Sequence, residues 1–303
     1  MSLPLKGVRV LAVEHFLSGP YGTMLFGDWG AEIIRIERPG TGDAMRHTVQ
    51  AREDGETIPL TWLIRNRNKK SITLELKTQK GKEIFLGLVK QADVVWENLA
   101  PGTMEKMGLG YEVLRKANNR IIYATVTGFG HKDVLPSPFS ERPALDYIAQ
   151  AMSGLMWAPS YGTKPMWLGI SLTDQVPGVM AAMGVLLALY QRQQTGEGQR
   201  LDISMYDVGA MLAERPLGMQ AGLGSTPSNE SESTNQLGPF TAKDGWVAVG
   251  VVNNATWPAF CKMAGSRPGR PARGWRCRGA HPWIGSTASC AAGRTSRRPG
   301  TRW

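Results

Sequence analysis

Asp174 is the residue in this chain best placed to do chemistry. It sits in the segment Gly169-Ile170-Ser171-Leu172-Thr173-Asp174-Gln175, directly before a long apolar run, Val176–Tyr190. Two roles fit that placement. Aspartate is a favoured helix N-cap, because its oxygen accepts an orphan N–H of the first turn. Pro177 suits such a start, where no intrahelical donor is lost. The same geometry holds a carboxylate rigidly near the positive helix end, where it stays ionised. A carboxylate so held can act as a covalent nucleophile. Spacing alone favours the cap.

Three basic clusters fall near predicted loops: Arg35-Ile36-Glu37-Arg38-Pro39-Gly40, Arg65-Asn66-Arg67-Asn68-Lys69-Lys70-Ser71, and Lys106 beyond Glu97–Gly102. Each alone reads as a solvated surface. Gathered on the loops of one sheet, they could grip a phosphorylated ligand through charge-assisted hydrogen bonds. No phosphate-cradling glycine motif of the P-loop or dinucleotide type is present. That counts against ATP and NAD and leaves other phosphate carriers, coenzyme A among them.

The elements that must position these residues alternate. Val8–Val13, Ile33–Ile36, Ile72–Leu76, Asp93–Trp96 and Ile121–Val126 read as strands. Tyr21–Trp29, Lys80–Gln91 and Tyr111–Ala117 read as helices between them. Such alternation predicts an α/β fold with a parallel sheet covered by helices. Ligands in such sheets bind beyond the carboxyl ends of the strands. This singles out the loops Glu14–Pro20, Glu37–Asp43, Glu97–Gly102 and Gly128–Pro136. Asp146–Met156 then reads as a helix, and the Asp174 helix stops at Thr195-Gly196, where glycine takes the left-handed region. Leu201–Ser204 follows as a strand and Tyr206–Leu212 as a helix. Gly222–Gln236 reads as a polar linker. Gly238–Val249 forms a hairpin turning at Asp244-Gly245, and Trp257–Met263 begins a helix.

The chain has 303 residues and a net charge of +10. The charge is uneven. Residues 266–303 hold nine Arg and no Asp, Glu or Lys, which leaves residues 1–265 with 26 basic and 25 acidic side chains. From Ser266 neither helix nor strand period persists, and the composition predicts a disordered basic tail. The abruptness of the change suggests an aberrant or out-of-frame end. Cys261 alone provides no disulfide or metal framework. No apolar leader is visible, and Val176–Tyr190 reads as a core helix too short to span a bilayer. The expected location is the cytoplasm, with no membrane partner. The tail carries no recognisable nucleic-acid motif, so no specific nucleic acid is expected.

A series of short motifs in order adds a resemblance. Ser18-Gly19-Pro20-Tyr21, Gly30–Gly40, Asn68-Lys69-Lys70-Ser71-Ile72, Ala92-Asp93-Val94-Val95 with Glu97-Asn98, Gly128-Phe129-Gly130, Arg142-Pro143, Asp146 with Ile148-Ala149-Gln150, and Thr195–Gln199 resemble the class III (CaiB/BaiF-type) CoA-transferases. The match runs from about residue 5 to 265. It implies a Rossmann-like CoA-binding large domain over 1–220, a smaller domain that begins at 221–265 and is incomplete, and the tail at 266–303. It also implies an interlocked homodimer, acyl-CoA and a free carboxylic acid as partners, coenzyme A as a substrate, and no metal.

The position matching the family's nucleophile is Asp174, and Asp146 matches an acidic residue near the reaction centre. Phe16, Leu17, Ser18, Arg38, Lys69 or Lys70, Asn98 and Lys106 match its CoA contacts. The implied reaction moves CoA through an aspartyl-CoA intermediate. The α-methylacyl-CoA racemase branch carries a histidine where this chain has Leu145. Leucine exchanges no proton, so racemisation is the disfavoured alternative, with His131 the nearest substitute base. An inactive truncated product is the other alternative.

Overall fold

The computed structural model describes residues 3–51, 55–158, 164–224, 236–242, 244–251 and 255–263. The Arg-rich tail and most of the Gly222–Gln236 linker lie outside the described residues. Two compact units divide the chain: residues 1–159 with 165–218, and residues 160–164 with 219–303.

The first unit is built on a six-stranded parallel sheet. Its strands are β1 (Arg9–Val13), β2 (Glu32–Glu37), β5 (Lys69–Thr73), β6 (Val94–Glu97), β7 (Ile122–Thr127) and β8 (Arg200–Ser204), in the order β5-β2-β1-β6-β7-β8. A short pair, β3 (Gln50–Ala51) and β4 (Thr57–Ile58), stands apart. The helices are α1 (Ser18–Asp28), α2 (Leu60–Asn66), α3 (Gln79–Val89), α4 (Thr103–Lys106), α5 (Tyr111–Ala117), α6 (Asp146–Met152), α7 (Leu172–Thr195) and α8 (Met205–Leu212). A helix α9 (Glu214–Leu223) crosses the boundary between the units.

Side chains alternate across each strand. Val10, Ala12, Val94, Trp96, Ile122 and Ala124 form one core with Phe26 of α1 and Ala181 and Val185 of α7. Leu11, Val95 and Tyr123 form the other with Phe85 and Val89 of α3 and Leu114 of α5. Both faces are therefore covered, as a parallel sheet requires. Strand order reverses beside β1, with β2 on one side and β6 on the other. The loops leaving β1 and β6 diverge at that switch point and open a crevice.

Two helices are held unusually close there. A Cβ at Gly22 of α1 would sit 2.7 Å from the Gly178 carbonyl of α7, and one at Gly178 would sit 2.6 Å from the Ser18 carbonyl. Only glycine permits that approach. It brings the start of α7 against the first loop.

Several expectations shift. The expected Ile72–Leu76 strand starts three residues earlier, because Lys69 pairs in register with Ile33 and Ile72 with Ile36. β5 is an edge strand, where lysines are common. α7 runs 24 residues, beyond the Val176–Tyr190 run. By length and composition alone such a helix would suffice to cross a membrane, but Ala181, Ala182, Val185 and Ala188 pack it into the core. Pro177 lies inside the helix, not in its first turn. Gly196 ends α7 at φ 77°, its N–H donating to the Arg192 carbonyl. Asp146–Met156 splits into α6 and a 3-10 turn, Leu155–Trp157, after Gly154 at φ 81°. α2 and α9 carry no strong period in the sequence, and α9 contains Pro216 and Gly218.

In the second unit, β9 (Gln236–Ala242) and β10 (Gly245–Val251) form the expected antiparallel hairpin, and α10 (Trp257–Met263) follows.

Candidate active site

A cavity of about 490 Å³ opens in the first unit, at the carboxyl ends of β1, β6 and β7. Phe16, Leu17 and Ser18 line it from the first loop, Asn98 from the loop after β6, and Asp146 and Asp174 from the helix starts. A smaller cavity of about 300 Å³ is lined by Glu37, Arg38, Thr41, Glu75 and Lys77 among others. His15 and Leu99 stand on both walls, so the two cavities adjoin.

Asp174 does not cap its helix. Ser171 occupies the N-cap position without a side-chain bond, and Asp174 sits three residues in. Its backbone N–H donates to the Ser171 carbonyl at 3.2 Å. No described donor bonds its carboxylate. The expected low pKa at the helix end is also overturned. Burial, with the nearby Asp146 charge adding to it and Arg65 opposing, pushes Asp174 up to about 7. Desolvation outweighs the helix end here because the carboxylate lacks hydrogen-bond donors.

Asp146 is the opposite case. Its Oδ1 accepts the Thr173 N–H at 3.0 Å and the Thr173 hydroxyl at 2.8 Å. Its Oδ2 accepts Gln150 Nε2 at 2.8 Å and Trp167 Nε1 at 3.2 Å. These bonds tie the start of α6 to the first turn of α7.

The first loop is fixed from below. Phe16 adopts φ 58°, a strained value for a non-glycine residue. Asn98 accepts from the His15 N–H at 3.0 Å and donates to the His15 carbonyl at 2.9 Å and to Ser18 Oγ at 3.1 Å. Its amide therefore braces the loop as well as facing the cavity. Buried Lys69 pairs with Glu14 at 2.7 Å and also donates to the Pro20 carbonyl and Asn66. Burial pushes Lys69 down to about 8, against the pull of Glu14. Arg35 bonds Asn66 and Asp43 close by. Burial alone would raise Glu37, yet hydrogen bonds from Arg46 and Ser71 bring it down to about 2.

The expected phosphate-gripping clusters are thus only partly at the cavities. Lys69 is buried in its pair, 2% exposed. Lys70 pairs with Glu32 on the surface at 2.7 Å. Lys106 is exposed on α4 and lines neither cavity. Arg38 does line the smaller cavity, 3.7 Å from Glu75. Lys77, in the loop that follows β5, lines it too. No local pattern distinguishes Lys77 from other surface lysines. Met45, Trp167 and Met205 also reach the larger cavity from sequence-distant places. Leu145 stands on its wall beside Asp146. His131 is buried and bonded to Asp202 at 2.8 Å, off that wall.

A six-stranded parallel sheet with a switch-point crevice, and at its edge a carboxylate that no described donor bonds, define a Rossmann-like α/β protein with a carboxylate-bearing cavity. The profile of CoA-transferase family III matches residues 5–275. The chain belongs to that family. It is 38% identical over 264 residues to a succinyl-CoA:mesaconate CoA-transferase of Haloarcula marismortui, covering 85% of this chain and 66% of the relative. It is 34% identical over 278 residues to a formyl-CoA:oxalate CoA-transferase of Afipia carboxidovorans, covering 91% of this chain and 61% of the relative. A CaiB/BaiF family protein from Brucella suis superimposes with a TM-score of 0.75 at 29% identity, over 88% of this chain and 70% of that one. The chain thus spans 66% or less of the length of these two curated relatives.

Proposed function

We propose that the chain transfers coenzyme A from an acyl-CoA thioester to a free carboxylic acid, with Asp174 as the nucleophile. The observation that carries this reading is the Asp174 carboxylate itself. It stands on the wall of the larger cavity and is bonded by no described donor, whereas Asp146 beside it takes four bonds. A carboxylate without bound donors keeps its lone pairs for attack.

The adjoining cavities fit a long ligand with a charged head. Arg38 and Lys77 offer the phosphate-bearing end of CoA two cations at the smaller cavity. The pantetheine arm then passes His15 and Leu99 toward Asp174. An Asp174 oxygen adds to the thioester carbonyl and expels CoA thiolate, leaving a mixed anhydride. The thiolate attacks the aspartyl carbonyl of that anhydride, which gives aspartyl-CoA and releases the first acid. The carboxylate of a second acid attacks the aspartyl thioester, expels CoA thiolate again and forms a new anhydride. The returning thiolate takes its acyl group and frees Asp174. Each half-step keeps the thioester's energy without ATP.

Mesaconate and oxalate, dicarboxylic acids named in two relatives, are the first acceptors to try. In the test, purified protein is offered succinyl-CoA, formyl-CoA or acetyl-CoA with mesaconate, oxalate or malate, and new thioesters are read by mass. New thioesters should form. Asp174→Ala should abolish them while CoA affinity stays within about twofold. Full turnover by Asp174→Ala would refute the assignment. Trapping with hydroxylamine should place a hydroxamate on the Asp174 peptide.

A further inference from the structure

The wall of the larger cavity combines acidic and apolar groups. Met45, Leu145, Tyr147, Trp167 and Met205 reach it from four separate stretches of chain. Asp146 and Asp174 supply its carboxylates, and no lysine or arginine lines it among the described residues. Three of the apolar side chains are half-exposed there: Leu145 at 50%, Tyr147 at 52% and Trp167 at 56%. They gather about Asp146. Leu145 and Tyr147 flank it in sequence, and Trp167 Nε1 donates to its Oδ2 at 3.2 Å. That bond fixes the indole at the wall. Apolar surface in a cavity is stabilised by an apolar occupant, which displaces water from it.

Charge then decides between acids. An ionised carboxylate is an acceptor only, and that is the pattern at Asp146, where Thr173, Gln150 and Trp167 all donate. A monocarboxylic acceptor loses its single charge on reaction. Its carboxylate attacks aspartyl-CoA, expels the thiolate and forms the anhydride. The thiolate then adds to the acceptor's carbonyl, and Asp174 departs as a carboxylate. The acceptor's body is neutral throughout. A dicarboxylic acid carries its second charge through each of these steps, beside Asp146 and against apolar side chains. An unpaired carboxylate in such a place is strongly disfavoured, because the water that would solvate and screen it is displaced.

We propose that this cavity selects, as the acceptor of CoA, a monocarboxylic acid with an apolar branched or aromatic body, and that Leu145 and Trp167 determine the choice. The chemistry rests on the CoA-transfer reading. The selectivity rests on the cavity wall and is measured by binding as well as by turnover.

The experiment uses the full chain with acetyl-CoA as donor and equal concentrations of isovalerate, phenylacetate, mesaconate and oxalate, with thioesters read by mass. For the better apolar acid, kcat/KM should exceed that for mesaconate by about tenfold or more. Leu145→Arg places a cation on the wall and should reverse the order. Trp167→Gln keeps a donor for Asp146 but removes the ring. It should lower kcat/KM for the apolar acid about tenfold and leave that for mesaconate within about twofold. Calorimetric titration of the CoA-saturated protein with phenylacetate and with mesaconate reads the selectivity without turnover. A wild-type preference for mesaconate or oxalate overturns the proposal and leaves CoA transfer standing. An order unmoved in both variants overturns it as well, and a shifted elution on size exclusion would then assign the exposed side chains to a contact between copies. Selective binding of phenylacetate, with no thioester formed from any acid, would support the cavity's choice and sink the CoA-transfer reading instead.

Discussion

Asp146 and Asp174 share one cavity wall, yet four donors hold the first and none of the described donors holds the second. The link between them is Thr173, whose N–H and hydroxyl both bond Asp146 while its neighbour in sequence is the free carboxylate. Asp146 therefore sets where Asp174 stands, and its charge helps set when Asp174 ionises.

The pH dependence of stability follows from that second effect. Asp174 is raised from 3.8 to about 7 in the folded chain. The folded state binds the proton more tightly, so this stabilisation is full below the unfolded pKa and is lost as pH rises through about 7. Asp174→Asn removes the loss. Urea unfolding should find the variant more stable than wild type by roughly 1–3 kcal/mol at pH 8, with a smaller difference at pH 5.

Turnover should move the other way with pH. The nucleophile is the ionised form, so kcat/KM should rise through about pH 7 as Asp174 loses its proton. Asp146→Asn should shift that rise to lower pH while weakening the α6–α7 link. A rate profile flat from roughly pH 5.5 to 8, the range that brackets the raised Asp174 carboxyl, would separate Asp174 from the rate-determining chemistry.

The buried Glu14–Lys69 pair should behave as structure. Lys69→Met leaves the Glu14 carboxylate buried without its partner and should cost about 3–5 kcal/mol in urea unfolding. Adding Glu14→Gln should recover much of that, because the uncompensated charge is gone. CoA affinity lost with Lys69→Met and equally lost in the double variant would instead make Lys69 a direct ligand contact.

Surface cations should divide by cavity. Arg38→Ala and Lys77→Ala should each weaken CoA binding, by about tenfold, with a salt-dependent deficit. Lys70→Ala and Lys106→Ala should change it less than about twofold, since one pairs with Glu32 and the other lines neither cavity. Calorimetric titration with CoA reads all four.

Gly178→Ala tests the close helix pair. Its Cβ would stand 2.6 Å from the rigid Ser18 backbone. The variant should lose about 1–3 kcal/mol. It should also slow turnover, because the start of α7 carries Asp174.

Much of this was legible in the sequence. Alternating apolar runs specify the parallel sheet because each strand must bury both faces, as Val10 and Leu11 do on opposite sides of β1. Gly196 marks the end of α7 because the left-handed turn there favours glycine. The ordered motifs singled out Asp174 and Asp146. Local pattern alone did not reveal that Ser171, not Asp174, begins the helix. It also gave no sign that Lys69 faces inward to Glu14, or that Trp167 bonds Asp146. Those facts depend on which groups meet across tens of residues. A side chain's charge state and partners follow from burial and neighbours, and only the folded chain brings Asp146 and Asp174 onto one cavity wall.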